Sequence, residues 1–227
     1  MHNHSHNHND PLKKQVEHGV IGDDLSPMDP PGAYTPPAMM PVSPSEMHPF
    51  LRKFIEEHVS FANELNLFEE AIITIQKSGY TKELDTKFRH FFHFFDRDFI
   101  QHSHREEVIL FPLLNARLIA DGEHSKTEVP TTGVDVMEDD HLKAVQLAAV
   151  VLNFLGLVFR LPDEKSRLIV LDTALEQGKN LVELLRLHIF REDNVVFPAM
   201  HRLISNEEFD GMSSRAERRL DPSKANP

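Results

Sequence analysis

Two copies of one short pattern place a histidine four residues before a glutamate. His102 precedes Glu106 and His188 precedes Glu192, and in each copy a Phe-Pro dipeptide begins five residues after the glutamate. Residues four apart on an α-helix lie on the same face, so each copy presents an imidazole and a carboxylate side by side. Such ligands, with no sulfur among them, suit iron or manganese, and zinc also accepts them.

One further histidine precedes each copy, directly after an acidic residue. His58 lies 44 residues before His102, and His141 lies 47 residues before His188. Four imidazoles and two carboxylates buried together would each cost several kcal/mol without a partner. They either form a hydrogen-bonded network or bind cations, and the repetition favours metal. Two divalent ions about 3.5–4 Å apart, bridged by the carboxylates, fit this set of ligands.

The apolar residues around these positions predict four long helices. Apolar residues recur at helical spacing between glycine and proline breaks, which predicts helices over roughly 46–78, 82–120, 134–160 and 163–204. Ser45 is the expected N-cap of the first helix. In the third helix we expect one stripe to face inward: His141, Val145, Ala148, Leu152, Leu155 and Phe159. Short connections between long helices favour an all-α, up-down-up-down four-helix bundle. At ~1.5 Å per residue, the six polar groups return to nearly the same height.

The chain divides into three parts at the level of composition. We expect residues 1–44 to be a flexible His-rich and Pro-rich N-terminal arm, 45–205 to be the bundle, and 206–227 to be a short C-terminal helix and tail. His2, His4, His6 and His8 alternate with polar residues. This pattern suits loose metal coordination, and a purification tag or a low-complexity start is the alternative. The proline-rich part of the arm is a candidate for binding a protein partner.

Charge and composition exclude several classes of function. The formal net charge is −12, which argues against nucleic-acid or anionic-membrane binding, since both require clustered basic residues. There is no cysteine, so disulfides, iron–sulfur clusters and thiol catalysis are excluded. The first residues have no apolar core typical of a secretory signal. The longest apolar run, 144–159, is short for a membrane span and indicates a buried helix, so we expect a cytoplasmic protein.

The sequence resembles the hemerythrin-like (HHE cation-binding) domain. The resemblance rests on both histidine–glutamate–Phe-Pro segments and on the acidic-His dipeptides before them, and it covers roughly 45–205. It implies a four-helix bundle with a non-haem di-iron centre, oxo- or hydroxo-bridged, that takes O2 or peroxide as a small ligand. One iron would be held by His58 and His102 and the other by His141 and His188. Glu106 and Glu192 would bridge the two irons.

Two departures from the oxygen-carrying members bear on function. Those members have a fifth histidine four residues from the histidine of the third helix, whereas here Val145 and Met137 stand at the two such positions around His141. Reversible oxygen carriage is therefore disfavoured, and oxidase, peroxidase or sensing chemistry stays open. The oxygen carriers also use an aspartate five residues after the last histidine, which here is Asp193. We favour Glu192 as the ligand because it repeats the spacing of Glu106.

Other ionisable side chains near the pattern are interpreted as surface groups. His90, His93 and His104 point away from the face that carries His102, at 100° per residue. The acidic neighbours of the candidate ligands have two interpretations, solvated surface charge or hydrogen bonds to the ligand imidazoles, and the first is favoured: Glu57, Glu107, Asp139 and Asp140.

Three functions compete at this stage. The leading hypothesis is a di-iron protein whose centre reacts with or senses O2, peroxide or iron. The second is a di-iron oxidase or peroxidase that acts on a small substrate, which would require a cavity beside the metals. The third is a structural metal module inside an interaction protein, where the metal only stabilises the fold.

Overall fold

The computed structural model describes residues 42–220, and within this range the chain is helical with no strands. The predicted N-terminal arm lies outside the described residues except for its last three positions, and the end of the predicted tail also lies outside them. Helix α1 spans Pro49–Ser78, α2 runs from Lys82 to Asp121, α3 spans Gly133–Val158, α4 runs from Glu164 to Leu203, and α5 spans Asn206–Leu220. The predicted all-α bundle is confirmed.

The first helix begins three residues later than predicted. Its N-cap is His48, not Ser45, and the Nδ1 atom of His48 accepts a hydrogen bond from the backbone N–H of Phe50 at 3.2 Å. Pro49 occupies the first helical position, where a missing backbone N–H costs nothing because that donor has no partner inside the helix. The residues before it form a turn, closed by the N–H of Glu46 bonding to the carbonyl of Ser43.

Helices α2 and α4 contain π-helical turns that the sequence pattern did not reveal. One turn, Glu106–Leu110, lies just before Phe111-Pro112, and another, Glu192–Val196, lies just before Phe197-Pro198. In a regular α-helix a proline ring clashes with the carbonyl four residues earlier, and the wider turn relieves that clash. A further π turn, Phe95–Phe99, interrupts α2 one turn before His102.

Two apolar clusters fill the bundle, with a polar layer between them. On α1, Phe61 belongs to one cluster and Phe54 to the other, and His58 lies between them. The first cluster contains residues that follow the candidate ligand on α1 and α3 but precede it on α2 and α4. The four helices therefore alternate in direction. The alternation brings all six candidate ligands to one level.

The stripe predicted to face inward on α3 is wrong at three positions. Val145, Leu152 and Phe159 are exposed. The buried side of α3 is instead formed by residues that share the face of His141: Ala144, Ala148, Val151, Leu155 and Val158. By length and composition alone α3 would pass as a membrane-spanning segment, yet only 33% of its most apolar window is buried inside the protein. The interpretation of 144–159 as a buried helix therefore holds for one side of the helix and is wrong for the other.

Candidate metal centre

Four histidines from four helices point their Nε2 atoms at the centre of the bundle. His58 and His102 place these atoms 3.1 Å apart, and His141 and His188 do the same at 3.1 Å. All four side chains are buried. Two imidazole nitrogens approach this closely when one donates a hydrogen bond to the other or when both bind a common ligand. Without either, their lone pairs would repel each other.

Each glutamate of the repeat lies between the two histidine pairs. Glu106 places one carboxylate oxygen 3.2 Å from Nε2 of His102 and the other 3.4 Å from Nε2 of His141. Glu192 places one oxygen 3.2 Å from Nε2 of His188 and the other 3.1 Å from Nε2 of His58. The carboxylates thus connect the pairs on both sides.

The ligand atoms form two groups that share both glutamates. His58, His102, Glu106 and Glu192 offer atoms within 4.8 Å of one another, and so do Glu106, His141, His188 and Glu192. All eight places in these groups are filled by buried residues. This grouping corresponds to the division between two irons that the resemblance implies, and the occupancy of the two groups by ions remains a prediction.

The chemistry of the donor set fits a pair of cations. Glu106 and Glu192 have fully buried carboxylates, and none of their four oxygens has a hydrogen-bond donor in suitable geometry, although imidazole nitrogens lie nearby. A buried carboxylate that lacks such partners is strongly destabilising, and two of them in one layer more so. Divalent cations bound between the histidine pairs would satisfy all four oxygens at once.

Acidic residues beside the ligands orient the imidazoles of neighbouring helices. Glu57 on α1 accepts a hydrogen bond from Nδ1 of His102 on α2 at 2.7 Å and also pairs with Arg105. Asp193 on α4 lies 2.8 Å from Nδ1 of His58 on α1. Asp193 therefore contacts the outer nitrogen of a candidate ligand, whereas Glu192 belongs to both candidate ligand groups, and its role as a metal ligand stays a prediction.

The second half of the site repeats this scheme with one difference. Glu107 lies 2.8 Å from Nδ1 of His141. Asp140 corresponds to Glu57, but its carboxylate is one methylene shorter and stays 3.8 Å from Nδ1 of His188, while Arg191 binds it at 2.6 Å. Nδ1 of His188 is buried without a hydrogen-bond partner.

The favoured interpretation of the acidic neighbours as solvated charge is therefore wrong for Glu57, Glu107 and Asp140. It holds for Asp139, which is exposed and pairs with Lys143 on its own helix. The similarity between the two copies extends beyond the histidine and the glutamate, and these additional matching positions could have revealed the acidic residues. In both copies an arginine stands three residues after the histidine and an acidic residue follows the glutamate, in addition to the acidic residue before the earlier histidine.

The charges of this layer shift the proton affinities of its histidines. Burial alone would lower the pKa of His58, but the hydrogen bond to Asp193 and the adjacent negative charge of Glu192 raise it to about 10. Burial likewise opposes protonation of His102, yet the charge of Glu106 raises the pKa of that imidazole to about 9. The pKa of Glu106 is lowered, against the effect of its own burial, by the positive charge of protonated His102. In the metal-free protein, protonated imidazoles therefore offset the charge of the buried carboxylates.

Phenylalanine rings enclose the centre. Phe197 stacks on His58 and Phe111 stacks on His141, so the ring of each Phe-Pro dipeptide covers a histidine of the other half of the repeat. Phe61 packs edge-on against His102 with ring centroids 4.8 Å apart. An apolar shell of this kind limits water access to a metal centre.

The remaining histidines that the sequence analysis set aside lie outside the layer. His90, His93 and His104 are exposed, and His90 contacts Glu64 on α1. His2, His4, His6 and His8 fall outside the described residues.

Comparison with known proteins identifies one family. The family model of the hemerythrin HHE cation binding domain matches residues 50–200, which covers α1 to α4 up to the end of the second Phe-Pro segment. No curated protein and no solved structure matches the chain.

Proposed function

The chain belongs to the hemerythrin HHE cation-binding domain family, and from this premise we propose that its polar layer holds a non-haem di-iron centre that reacts with or senses O2 or peroxide. His58 and His102 would hold one iron, and His141 and His188 the other. The observation that carries the proposal is the pair of ligand groups that share both buried carboxylates. Bound iron would supply the one-electron chemistry that no side chain here provides.

The protein supplies fewer ligands than iron ordinarily takes. Each ligand group contains two imidazoles and two shared carboxylates. The position four residues after His141 is Val145, whose side chain is exposed and does not point into the layer. Met137, four residues before, is buried in the neighbouring apolar cluster. The centre would therefore keep open positions for a small ligand, and it would lack the fifth histidine that the oxygen carriers use.

The surroundings favour a small, uncharged ligand. The phenylalanine shell limits access of bulk water, while outer carboxylates hold the imidazoles of His58, His102 and His141 in the orientation that keeps each Nε2 atom directed inward. Such outer contacts fix the tautomer and raise the basicity of a ligand imidazole. These contacts would stabilise an oxidised centre, and the phenylalanine shell would limit which molecules reach it.

The test is a reaction of the anaerobically prepared Fe2+ protein with O2 and, separately, with peroxide. We expect about one O2 consumed per two irons and a new absorption band that dithionite removes, with no further turnover. A centre whose spectrum does not change with O2, peroxide or dithionite would contradict the proposal and indicate a structural metal module. Many turnovers of peroxide with a reducing co-substrate would indicate an enzyme.

One observation favours the enzyme as a second candidate. A cavity of about 400 Å³ opens between α1 and α2 and is lined by Phe61, Glu57 and Arg105, among others. Phe61 and Glu57 both contact His102, so a molecule in this cavity would lie one side chain away from a ligand. Replacing Ser60, which also lines the cavity, by Trp would fill it. Loss of peroxide turnover with unchanged metal content in that variant would support this candidate.

A further inference from the structure

The outer face of α3, continued by Phe159 in the turn after it, is an apolar surface that the described part of the chain leaves uncovered except at Phe159, whose ring packs edge-on against Tyr80. Leu142, Leu152 and Phe159 are 56%, 45% and 63% exposed. No charged residue occurs from Ala144 to Phe159, although the chain carries a formal net charge of −12. Apolar residues scattered singly over a surface are ordinary, but a contiguous uncharged face along a helix marks an interaction site.

The exposed residues of this face follow a heptad repeat. Leu142, Val145, Ala149, Leu152, Gly156 and Phe159 are separated by three, four, three, four and three residues, and all six are exposed. A spacing that averages 3.5 residues is the signature of a helix that packs along its length against another helix. The seam, as we call these six residues, is about 26 Å long at 1.5 Å per residue.

The seam is complementary to itself when two copies run antiparallel. Aligning Ala149 with Leu152 of the partner subunit also aligns Val145 with the partner subunit's Gly156, and Leu142 with the partner subunit's Phe159. Two of these three pairs match a large side chain with a small one. A side chain built at Gly156 would meet nothing within 4 Å, so this position is an open notch on the surface. Such alternation lets facing side chains interdigitate.

The residues beside the seam match in the same register. Asp139 faces Arg160 of the partner subunit, and Gln146 faces the partner subunit's Asn153. Arg160 has no ion-pair partner among the described residues, and Asp139 has only the exposed Lys143 of its own helix. Opposite charges at the ends and paired amides in the middle favour the antiparallel orientation, since a parallel pair would place each of these groups beside its own copy.

We propose that α3 forms an antiparallel homodimer interface through the seam, with a twofold axis between Ala149 and Leu152. A second copy fits better than a lipid surface, because a helix that lies on a membrane carries Lys and Arg beside its apolar face. Lys143 and Arg160 also lie beside the seam, but Glu138 and Asp139 balance their charge and Gln146 and Asn153 are uncharged amides, so the face lacks the basic excess that anionic lipids attract. The closed, two-fold symmetric contact is also the commonest arrangement of identical chains.

The first test measures the mass of the full-length protein by sedimentation over a hundredfold range of concentration. We expect a monomer–dimer equilibrium, and we expect Leu152→Glu to raise its dissociation constant at least about tenfold, because it buries an unpaired charge. Val59→Glu is the matched control, since Val59 is a 63% exposed aliphatic residue on α1. Helix content and metal content should be unchanged in both variants.

The second test fixes the register. The chain contains no cysteine, so every disulfide formed must come from introduced residues. A mixture of Ala149→Cys and Leu152→Cys proteins should form cross-linked dimers under mild oxidation, because the two positions face each other within disulfide reach. Gly156→Cys protein alone should not, because two copies of that position would be offset by eleven residues, about 16 Å along the helices.

Three outcomes would overturn the proposal. The protein could be monomeric at every concentration, or Leu152→Glu could leave the dimer intact, which would place the interface elsewhere. It could also be monomeric and bind vesicles of phosphatidylcholine and phosphatidylserine in a way that Leu152→Glu abolishes, which would make the seam a membrane contact.

Discussion

Glu57 lies next to His58 in the chain, yet its carboxylate accepts a hydrogen bond from Nδ1 of His102 on the neighbouring helix at 2.7 Å. Asp193 on α4 does the same for His58 on α1. Three of the four candidate ligand imidazoles, those of His58, His102 and His141, are therefore oriented by a residue that adjoins a different ligand. Packing of the helices and orientation of the imidazoles depend on each other, so a disturbance at one helix reaches the ligands of another.

Removing the carboxylate of Glu57 should weaken metal binding without unfolding the protein. We expect Glu57→Ala to lower the affinity for Fe2+ or Zn2+ by about 10- to 100-fold, because outer hydrogen bonds fix the orientation and basicity of ligand imidazoles. Competition against a chromophoric chelator measures the change. Glu56→Ala is the control, since Glu56 is the exposed neighbour of Glu57. Equal affinities for the two variants would show that the contact with His102 has no role in metal binding.

Lengthening the side chain at position 140 should strengthen the second half of the site. Asp140 stays 3.8 Å from Nδ1 of His188, and that nitrogen is buried without a hydrogen-bond partner. Asp140→Glu adds the missing methylene and should tighten binding of the more weakly held of two ions by about tenfold. Stepwise titration with Co2+ followed by absorption resolves the two affinities. Asp139→Glu is the control on the exposed side of α3, and a weaker second step in Asp140→Glu would refute this explanation.

The metal-free protein should lose stability as the pH rises above neutrality. The pKa values of His58 and His102 are raised in the folded state to about 10 and about 9, from an unfolded value near 6.5. A raised pKa stabilises the fold fully below the unfolded value, and this contribution is lost as the pH rises through the folded value. The free energy of unfolding should fall by up to about 1.4 kcal/mol per pH unit for each imidazole, between about pH 6.5 and 9 for His102 and between about pH 6.5 and 10 for His58.

Urea denaturation of metal-free protein at several pH values measures this slope. Metal-loaded protein is the comparison, because an ion on the Nε2 atoms replaces the protons and should remove the loss of stability. A metal-free protein whose stability is constant from pH 6.5 to 10 would contradict the assignment of protonated histidines to the layer.

The two Phe-Pro dipeptides should be required for metal binding and not for folding. The backbone N–H of Phe111 donates a hydrogen bond to the carbonyl of Glu106 across the π turn, and the backbone N–H of Phe197 does the same to the carbonyl of Glu192. Replacing both Pro112 and Pro198 by Ala removes the clash that favours the wide turns, so the helices should relax and rotate the glutamates. We expect unchanged helix content and at least about tenfold weaker metal binding, with Pro130→Ala as a loop control. Unchanged affinity would show that packing alone maintains the turns.

The six polar groups and their common level were predictable from the sequence because the same spacing occurs twice on helices with clear apolar stripes. On α1, for example, residues on the face of His58 are apolar and those on the opposite face are polar. The apolar stripe of α1 therefore predicted a single buried face, the one that includes His58. The outer carboxylates were missed because Glu57 is rotated by about 100° from His58 on its own helix, and the periodicity of one helix does not reveal which side chains its neighbour presents.

The orientation of α3 could not be predicted for a different reason. The residues Ala144, Ala148 and Val151 form one apolar stripe, and Val145, Ala149 and Leu152 form another, one residue further along. Both satisfy helical spacing, and the sequence does not show which one faces the core. The π turns of α2 and α4 were likewise hidden, because proline at an internal position predicts a disturbance of the helix without specifying its form.

The central claim is that six side chains hold two metal ions by sharing Glu106 and Glu192. The most direct test is the metal content of the full-length chain with His2, His4, His6 and His8 replaced by Ala, so that the N-terminal histidines cannot contribute. After reconstitution with iron and removal of loosely bound metal, we predict two ions per chain, and loss of both in Glu106→Ala/Glu192→Ala. One ion per chain, or two ions that persist in the double variant, would contradict the account.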